Sequence, residues 1–438
     1  MIRSVLIMLL LLTYSSFVSP AFSDDTEQRI KKLEDTVQEQ QKEIETLKNE
    51  QNKQQDQDTT QTAKGSSSWK VSGLFGASAL TNPNISLVLD TFMYSSNLNH
   101  TELENRGIPD FTTNGLDRRT GFDFREAELA LFAPVDPYFN LYANFPIVEN
   151  GISVEELYAV TTFLPWGFQI KGGKFKSNFS RLDAQHPHAW DFFDIPLPYR
   201  AFLGDEGLGG QKGVQITYLP PLPVYTLIGI EGFQGENELL FGDDAADGPH
   251  AVSAFVKFSA DLTDTSTFYF GPAILYGKTK NTNIIPNAEV AGDSTLYELE
   301  AVWKWKPANA QTLIVQSEYM FLTTSGGTAQ DLTTMIVDPL KRRQDGFYIQ
   351  ALYRFYRWGI GARYDMLNVF AETFTRAGVQ QDSGTPWREA AAVEFNPSEF
   401  TRIRLQLAHD RSDPHGRTND EIILQFLFGI GAHAAHAF

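Results

Sequence analysis

From residue 69 onward the chain alternates apolar and polar residues, in segments of about ten, with tight turns and longer loops taking turns between them. A chain patterned this way, with no long helical period, folds as strands whose two faces meet different solvents. In Tyr297–Trp305, the residues Tyr297, Leu299, Ala301, Trp303 and Trp305 share one face, and Glu298, Glu300, Val302 and Lys304 the other. In Phe347–Phe355, Phe347, Ile349, Ala351, Tyr353 and Phe355 oppose Tyr348, Gln350, Leu352 and Arg354. In Arg402–Asp410, Arg402, Arg404 and Gln406 oppose Ile403, Leu405 and Leu407. One face suits lipid and the other water.

The turns set the strand number. Short connections are predicted at Asp136-Pro137, Pro165-Trp166, Pro220 to Pro223, Thr263-Asp264, Pro307 to Asn309, Tyr356-Arg357 and Pro397-Ser398. With eight longer loops between them they give about sixteen antiparallel strands, an even number with both ends on one side. Trp166, Trp303, Trp305 and Trp358 fall beside these turns, where an aromatic girdle belongs. A last strand, about Glu421 to Gly431, turns Ile422, Leu424, Phe426, Phe428 and Ile430 outward, and the sequence closes on Phe438. The fold expected is therefore all-β, a transmembrane antiparallel barrel of about sixteen strands over residues 69–438. A soluble sandwich or barrel would also alternate, but would not account for the girdle or the loop asymmetry.

Composition removes other classes. No stretch after the N-terminus reaches the ~18 apolar residues of a spanning helix. There is no cysteine, hence no disulfide framework or thiolate chemistry. A formal net charge of -18 argues against nucleic acid as a partner.

The first residues point to export. Arg3 precedes the apolar run Val5 to Leu12, and Ser19-Pro20-Ala21-Phe22-Ser23 offers small residues for a cut before Asp24, so 1–23 is expected to be a signal peptide. Ile30, Leu33, Val37, Ile44 and Leu47 fall on heptad positions with Gln40 filling one intermediate slot, which predicts a short periplasmic coiled-coil helix over 24–50. A lone helix of this length is marginal in water, so the seam calls for partner helices; three copies would suit a trimer. Residues 51–68 are polar and aperiodic, a flexible linker.

Several runs resemble one family. Pro134-Val135-Asp136-Pro137-Tyr138-Phe139, Glu155-Glu156 with Tyr158, and Gly172-Gly173-Lys174-Phe175 are three of them. Gln185-His186-Pro187-His188, Phe202-Leu203-Gly204-Asp205-Glu206-Gly207-Leu208 and the closing His433–Phe438 are others. The chain is similar to the phosphate-selective porin O and P superfamily, in the branch often labelled zinc-regulated TonB-dependent outer membrane receptor. The resemblance spans about residues 82–438 and implies a sixteen-stranded trimeric porin of the bacterial outer membrane. The receptor half of that label fits poorly. A TonB-dependent transporter has a 22-stranded barrel with a folded plug, and the heptads and linker ahead of this barrel leave no room for one.

A barrel of sixteen strands leaves an aqueous channel, whose selectivity is set by its constriction and lining charges. The longest loop, about Asn178 to Gln211, carries Arg181, His186, His188, Trp190, Asp191, Asp194, Arg200, Asp205 and Glu206 and is the expected constriction. By alternation Arg354, Arg363, Arg388, Arg402 and Arg404 face inward on one side, and Glu126, Glu128, Glu156, Glu298 and Glu300 elsewhere. Opposed walls of this kind would either set a transverse field or pair with one another. Lys171, Lys174 and Lys176 would form an anion funnel before the loop. His186 and His188 are the candidate metal ligands, with Asp191 and Asp194 as partners and zinc as the ion. No other cofactor is called for, and no hydrolase, metalloprotease or phosphate-loop motif is present.

The function expected is a passive channel for small hydrophilic solutes or ions, working as a homo-trimer in outer-membrane lipid. The alternatives are a metal- or substrate-binding uptake barrel using the His-bearing loop, and a loop-plugged barrel serving envelope attachment.

Overall fold

The computed structural model describes residues 83–242 and 245–431. The expected signal peptide, coiled coil and linker (1–23, 24–50, 51–68) lie outside the described residues, as do residues 69–82 and His433–Phe438.

The described residues form one closed antiparallel barrel of sixteen long strands. The first half comprises β1 (Asn84–Ser96), β2 (Gly121–Pro134), β3 (Phe139–Val148), the two-residue β4 (Gly151–Ile152), β5 (Glu156–Thr161), β6 (Phe168–Lys176), β7 (Gly210–Tyr218), β8 (Tyr225–Phe233) and β9 (Ala251–Thr263). The second comprises β10 (Ser266–Ile285), β11 (Ala288–Trp305), β12 (Gln311–Asp331), β13 (Val337–Phe355), β14 (Trp358–Arg376), the two-residue β15 (Val379–Gln380), β16 (Trp387–Ser398), β17 (Thr401–Arg411) and β18 (Asn419–Gly431). Pairing of β1 with β18, from Ser86↔Gly431 to Ser96↔Glu421, closes the sheet and leaves no edge.

The side-chain period of two sorts the residues as the sequence predicts. Tyr297, Leu299, Trp303 and Trp305 are exposed outward, whereas Glu298, Glu300 and Val302 are buried inward. Ile349 and Tyr353 are exposed while Tyr348, Gln350 and Leu352 are buried, and the same split holds for Leu405 and Leu407 against Arg404 and Gln406. The result is an apolar outer surface of the kind a bilayer solvates. Five of the seven tight connections fall at the expected positions; the other two lie slightly further on, at Asp264-Thr265 and Glu399-Phe400, because β9 runs on to Thr263 and β16 to Ser398.

The long connection between β6 and β7, the expected constriction, enters the barrel and packs against its inner wall. Its Phe179, Leu182, Trp190, Ile195, Leu197, Tyr199 and Phe202 join Phe255, Leu275, Leu296, Met320, Leu322 and Leu367 of the wall in one buried cluster. The wall is shaped to receive it. Phe192 sits against the small inward residues Ala390, Ala392 and Ala408, and a Cβ at Gly361 would lie 3.2 Å from the Phe192 ring. A Cβ at Gly346 would lie 3.3 Å from Pro198. Inward glycines and alanines would be wasted in a water-filled pore; beneath a packed loop they provide the room.

Candidate functional site, a loop across the lumen

The loop is built to hold a shape. Pro187 starts a 3-10 turn (Pro187–Ala189), and Pro196 and Pro198 open the helix α1 (Leu197–Phe202), where a missing N–H costs nothing. Its two ends are tied together by Asp183, which accepts from Ser180 Oγ at 2.9 Å and from the Leu208 amide at 2.8 Å.

Three sets of charged groups then fix the loop to the wall. On the arginine side, Asp194 accepts from Arg363 at 2.9 Å, from Arg388 at 2.6 Å and from Gln406 at 3.0 Å. Asp191 accepts from Arg354 at 2.9 Å. Arg404 donates to the Trp190 carbonyl at 2.8 Å, and Arg402 to the His188 carbonyl at 3.3 Å. Wall carboxylates share the load: Glu394 with Arg354, and Glu421 with Arg388, both at 2.8 Å. Arg200 of α1 reaches Asp205 at 3.0 Å and Asp410 at 3.5 Å.

On the adjoining strands, β11 and β12, Glu300 accepts from the Arg181 amide at 2.7 Å and from Tyr269 at 2.6 Å, and pairs with Lys257. Glu318 accepts from Tyr348 at 2.6 Å and from Tyr199 of the loop.

The third set surrounds the histidines. His186 lies 3.0 Å from Glu155, 2.9 Å from Glu156 and 3.3 Å from Glu128, while His188 lies 2.8 Å from Glu128. Lys176 pairs with Glu155 at 2.9 Å, and Asn144 donates to Glu128 at 2.6 Å. On this side Arg125, Glu126, Tyr158 and Lys171 are half-buried.

Arg354, Arg363, Arg388, Arg402 and Arg404 all point inward, as do Glu126, Glu128, Glu156, Glu298 and Glu300, with Arg181, Asp191, Asp194 and Arg200 inside the loop. The arginine and glutamate walls exist, but their charges are engaged by the loop and by each other; a bare transverse field is not what they form. Two placements differ from expectation. Lys174 is the register partner of outward Leu157, and its Nζ donates to the Val154 carbonyl at 2.6 Å, so it does not line the lumen. Asp191 and Asp194 serve arginines and do not join His186 and His188, whose carboxylates come from β2 and the start of β5. His409 and Asp410 face opposite sides, His409 meeting Asp420 at 2.6 Å on the outer surface. Glu318, Glu394 and Lys257 also take part without having been among the expected residues, although the same alternation places them inward.

The histidine set carries a pH dependence. Burial alone would lower the His186 imidazole, but hydrogen bonds with Glu128, Glu155 and Glu156 outweigh it and hold the ring protonated well above its ordinary value. A raised histidine contributes stability that is complete below about pH 6.5 and is lost as pH rises through the elevated value. The contact should therefore be intact at neutral pH and loosen only in the alkaline range. Trypsin cleavage after Arg181 is expected to accelerate between neutral and strongly alkaline conditions, relative to a loop-free cleavage site. In His186→Gln it should be fast throughout; an identical pH profile in that variant would show that another group governs the loop.

No family model matches the chain. An uncharacterised protein of Aquifex aeolicus (strain VF5) is 38% identical over 386 residues, covering 81% of this chain and 80% of that relative. Among solved structures, the outer membrane channel DcaP of Acinetobacter baumannii superposes with a TM-score of 0.51 at 10% identity, covering 81% of this chain and 99% of that one. Outer-membrane expressed OmpT of Vibrio cholerae gives 0.50 at 12% identity, with 81% and 99% covered. At such identities the likeness is one of fold.

Proposed function

The chain belongs to one family with the uncharacterised Aquifex aeolicus protein, and on that premise we propose that it is an outer-membrane channel for small hydrophilic solutes or ions, gated by its own luminal loop. The observation that carries this reading is the loop itself. It fills the lumen through ion pairs and hydrogen bonds to a charged wall, inside a barrel whose outer face is apolar. A barrel serving only as a membrane anchor has no use for inward arginines and glutamates matched to a loop; a gated conduit does. Export by residues 1–23, a periplasmic coiled coil over 24–50 on a linker, and assembly as a homo-trimer belong to the same proposal. So does membership of the phosphate-selective porin O and P superfamily, although the mixed lining gives phosphate no dense basic ladder.

A second reading, metal capture by the loop, is favoured by one observation: the carboxylates of Glu128 and Glu155 converge with a ring nitrogen of His186 closely enough for one ion to bridge them. One experiment addresses both. Single-channel currents are recorded in a planar bilayer under a KCl gradient, with and without phosphate and zinc. Gated openings support the channel, and the sign of the reversal potential reports which wall charge dominates. Zinc-dependent gating that vanishes in His186→Gln would favour capture. A barrel that inserts and stays silent at every voltage and pH would refute the passive channel.

A further inference from the structure

The acid wall contains a charge imbalance that the loop contacts do not resolve. Glu298 and Glu300 lie two residues apart on the inward face of β11, and Glu318 of β12 is the register partner of Glu300. All three are fully buried, at no more than 1% exposure. One carboxylate oxygen from each lies within 4.8 Å of the others. Lys257 pairs with Glu300, and Glu318 is hydrogen-bonded by Tyr199, Tyr348 and Gln316. Glu298 has nothing of the kind: neither carboxylate oxygen has a hydrogen-bond partner among the described residues. Among the described residues the ion pair that reaches these three buried carboxylates is that of Lys257 with Glu300.

The histidine cluster makes a useful contrast. There Lys176 and the protonatable rings of His186 and His188 supply cations against Glu128, Glu155 and Glu156. That cluster can balance itself. The Glu298 nest cannot, and a buried carboxylate without a partner is strongly disfavoured unless a positive charge or a proton joins it.

We propose that Glu298, Glu300 and Glu318 bind a hard divalent cation of the calcium class. The donors are all oxygen, which selects calcium or magnesium over zinc or copper. Oxygens up to 4.8 Å apart suit an ion at the roughly 2.3–2.6 Å of calcium coordination better than the shorter bonds of magnesium. Magnesium also gives up its waters reluctantly, which binding among carboxylates this deeply buried would require. The ion would also join the loop to β11 and β12, because the Arg181 amide binds Glu300 and Tyr199 binds Glu318. This last step rests on the reading of the loop as the gate; the binding itself does not.

The test is made on the full-length barrel in detergent, stripped with a chelator and titrated with calcium by calorimetry. Terbium luminescence sensitised by the adjacent tyrosines Tyr199 and Tyr348 gives a second readout. Wild type should bind one calcium per chain, and Glu298→Gln should bind it roughly tenfold more weakly or worse. Heat-modified gel migration reports whether each variant is folded. Should Glu298→Gln fail to fold, the wild-type titration and its calcium-dependent rise in thermal stability decide the matter. No binding by wild type, or undiminished binding by folded Glu298→Gln, would overturn the site and assign the nest to shared protons. Calcium binding without any change in channel current would keep the site and remove its link to the gate.

Discussion

Excising residues 178–208 should convert the barrel into a constitutively open pore, with conductance roughly tenfold or more above wild type, since a bare sixteen-strand lumen is wide enough for water. The cut is structurally clean. β6 and β7 already pair as far as Lys176↔Gly210, so a tight turn can join them without changing register. The ladder and the apolar outer face are untouched, and insertion should survive. Stability should fall, because Met320, Leu322, Leu275 and Leu296 lose the apolar partners that bury them. Planar-bilayer recordings of the excised barrel beside wild type measure the effect. Equal conductance in the two would mean that the loop does not obstruct flow. A folded, inserted and silent excised barrel would end the channel reading altogether.

How much of this was legible beforehand follows the range of the interactions. Strand parity is local, and Tyr297–Trp305, Phe347–Phe355 and Arg402–Asp410 place their side chains as the period of two requires. The loop was legible as the longest connection, and its aromatics and prolines marked it as ordered. Its partners were not. His186 and His188 meet Glu128, Glu155 and Glu156, which precede them by thirty or more residues, whereas Asp191 and Asp194, only a few positions ahead, turn to the arginines. Which carboxylate meets which cation depends on where a non-repetitive segment crosses the lumen, and no local pattern encodes that. The misplacement of Lys174 has a simpler origin. Lys171 and Lys174 are three apart, so on one strand they face opposite sides; Lys171 turns inward over Tyr158 and Phe175, and Lys174 therefore cannot.

Among the loop's ties, the one at Asp194 should matter most, and Asp194→Asn isolates its charge from its shape. The carboxylate sits between Arg363 and Arg388, whose side chains are only 1% exposed. Breaking a buried pair by removing one partner costs about 3–5 kcal/mol. Arg388 keeps Glu421 and Asp410, and Arg363 keeps Asp365, so the lower end applies. About 3 kcal/mol shifts the ratio of docked to released loop by roughly a hundredfold. Cleavage after Arg200 and open probability should both rise accordingly. Asp191→Asn should do much less, because Arg354 is one-third exposed and retains Glu394. The pH profile gives an independent check. Burial would raise the Asp194 carboxyl, but Arg388, Arg363 and Arg118 outweigh it and hold it well below the ordinary carboxylate range. A lowered carboxylate contributes stability that is present above about pH 4 and is lost only as pH falls below it. The arginine tie should thus survive mild acid, while the histidine tie fails only in alkali. Wild type should therefore hold its loop most firmly between those limits, and Asp194→Asn should lose it at every pH. An Asp194→Asn barrel gated like wild type would place the latch elsewhere on the wall.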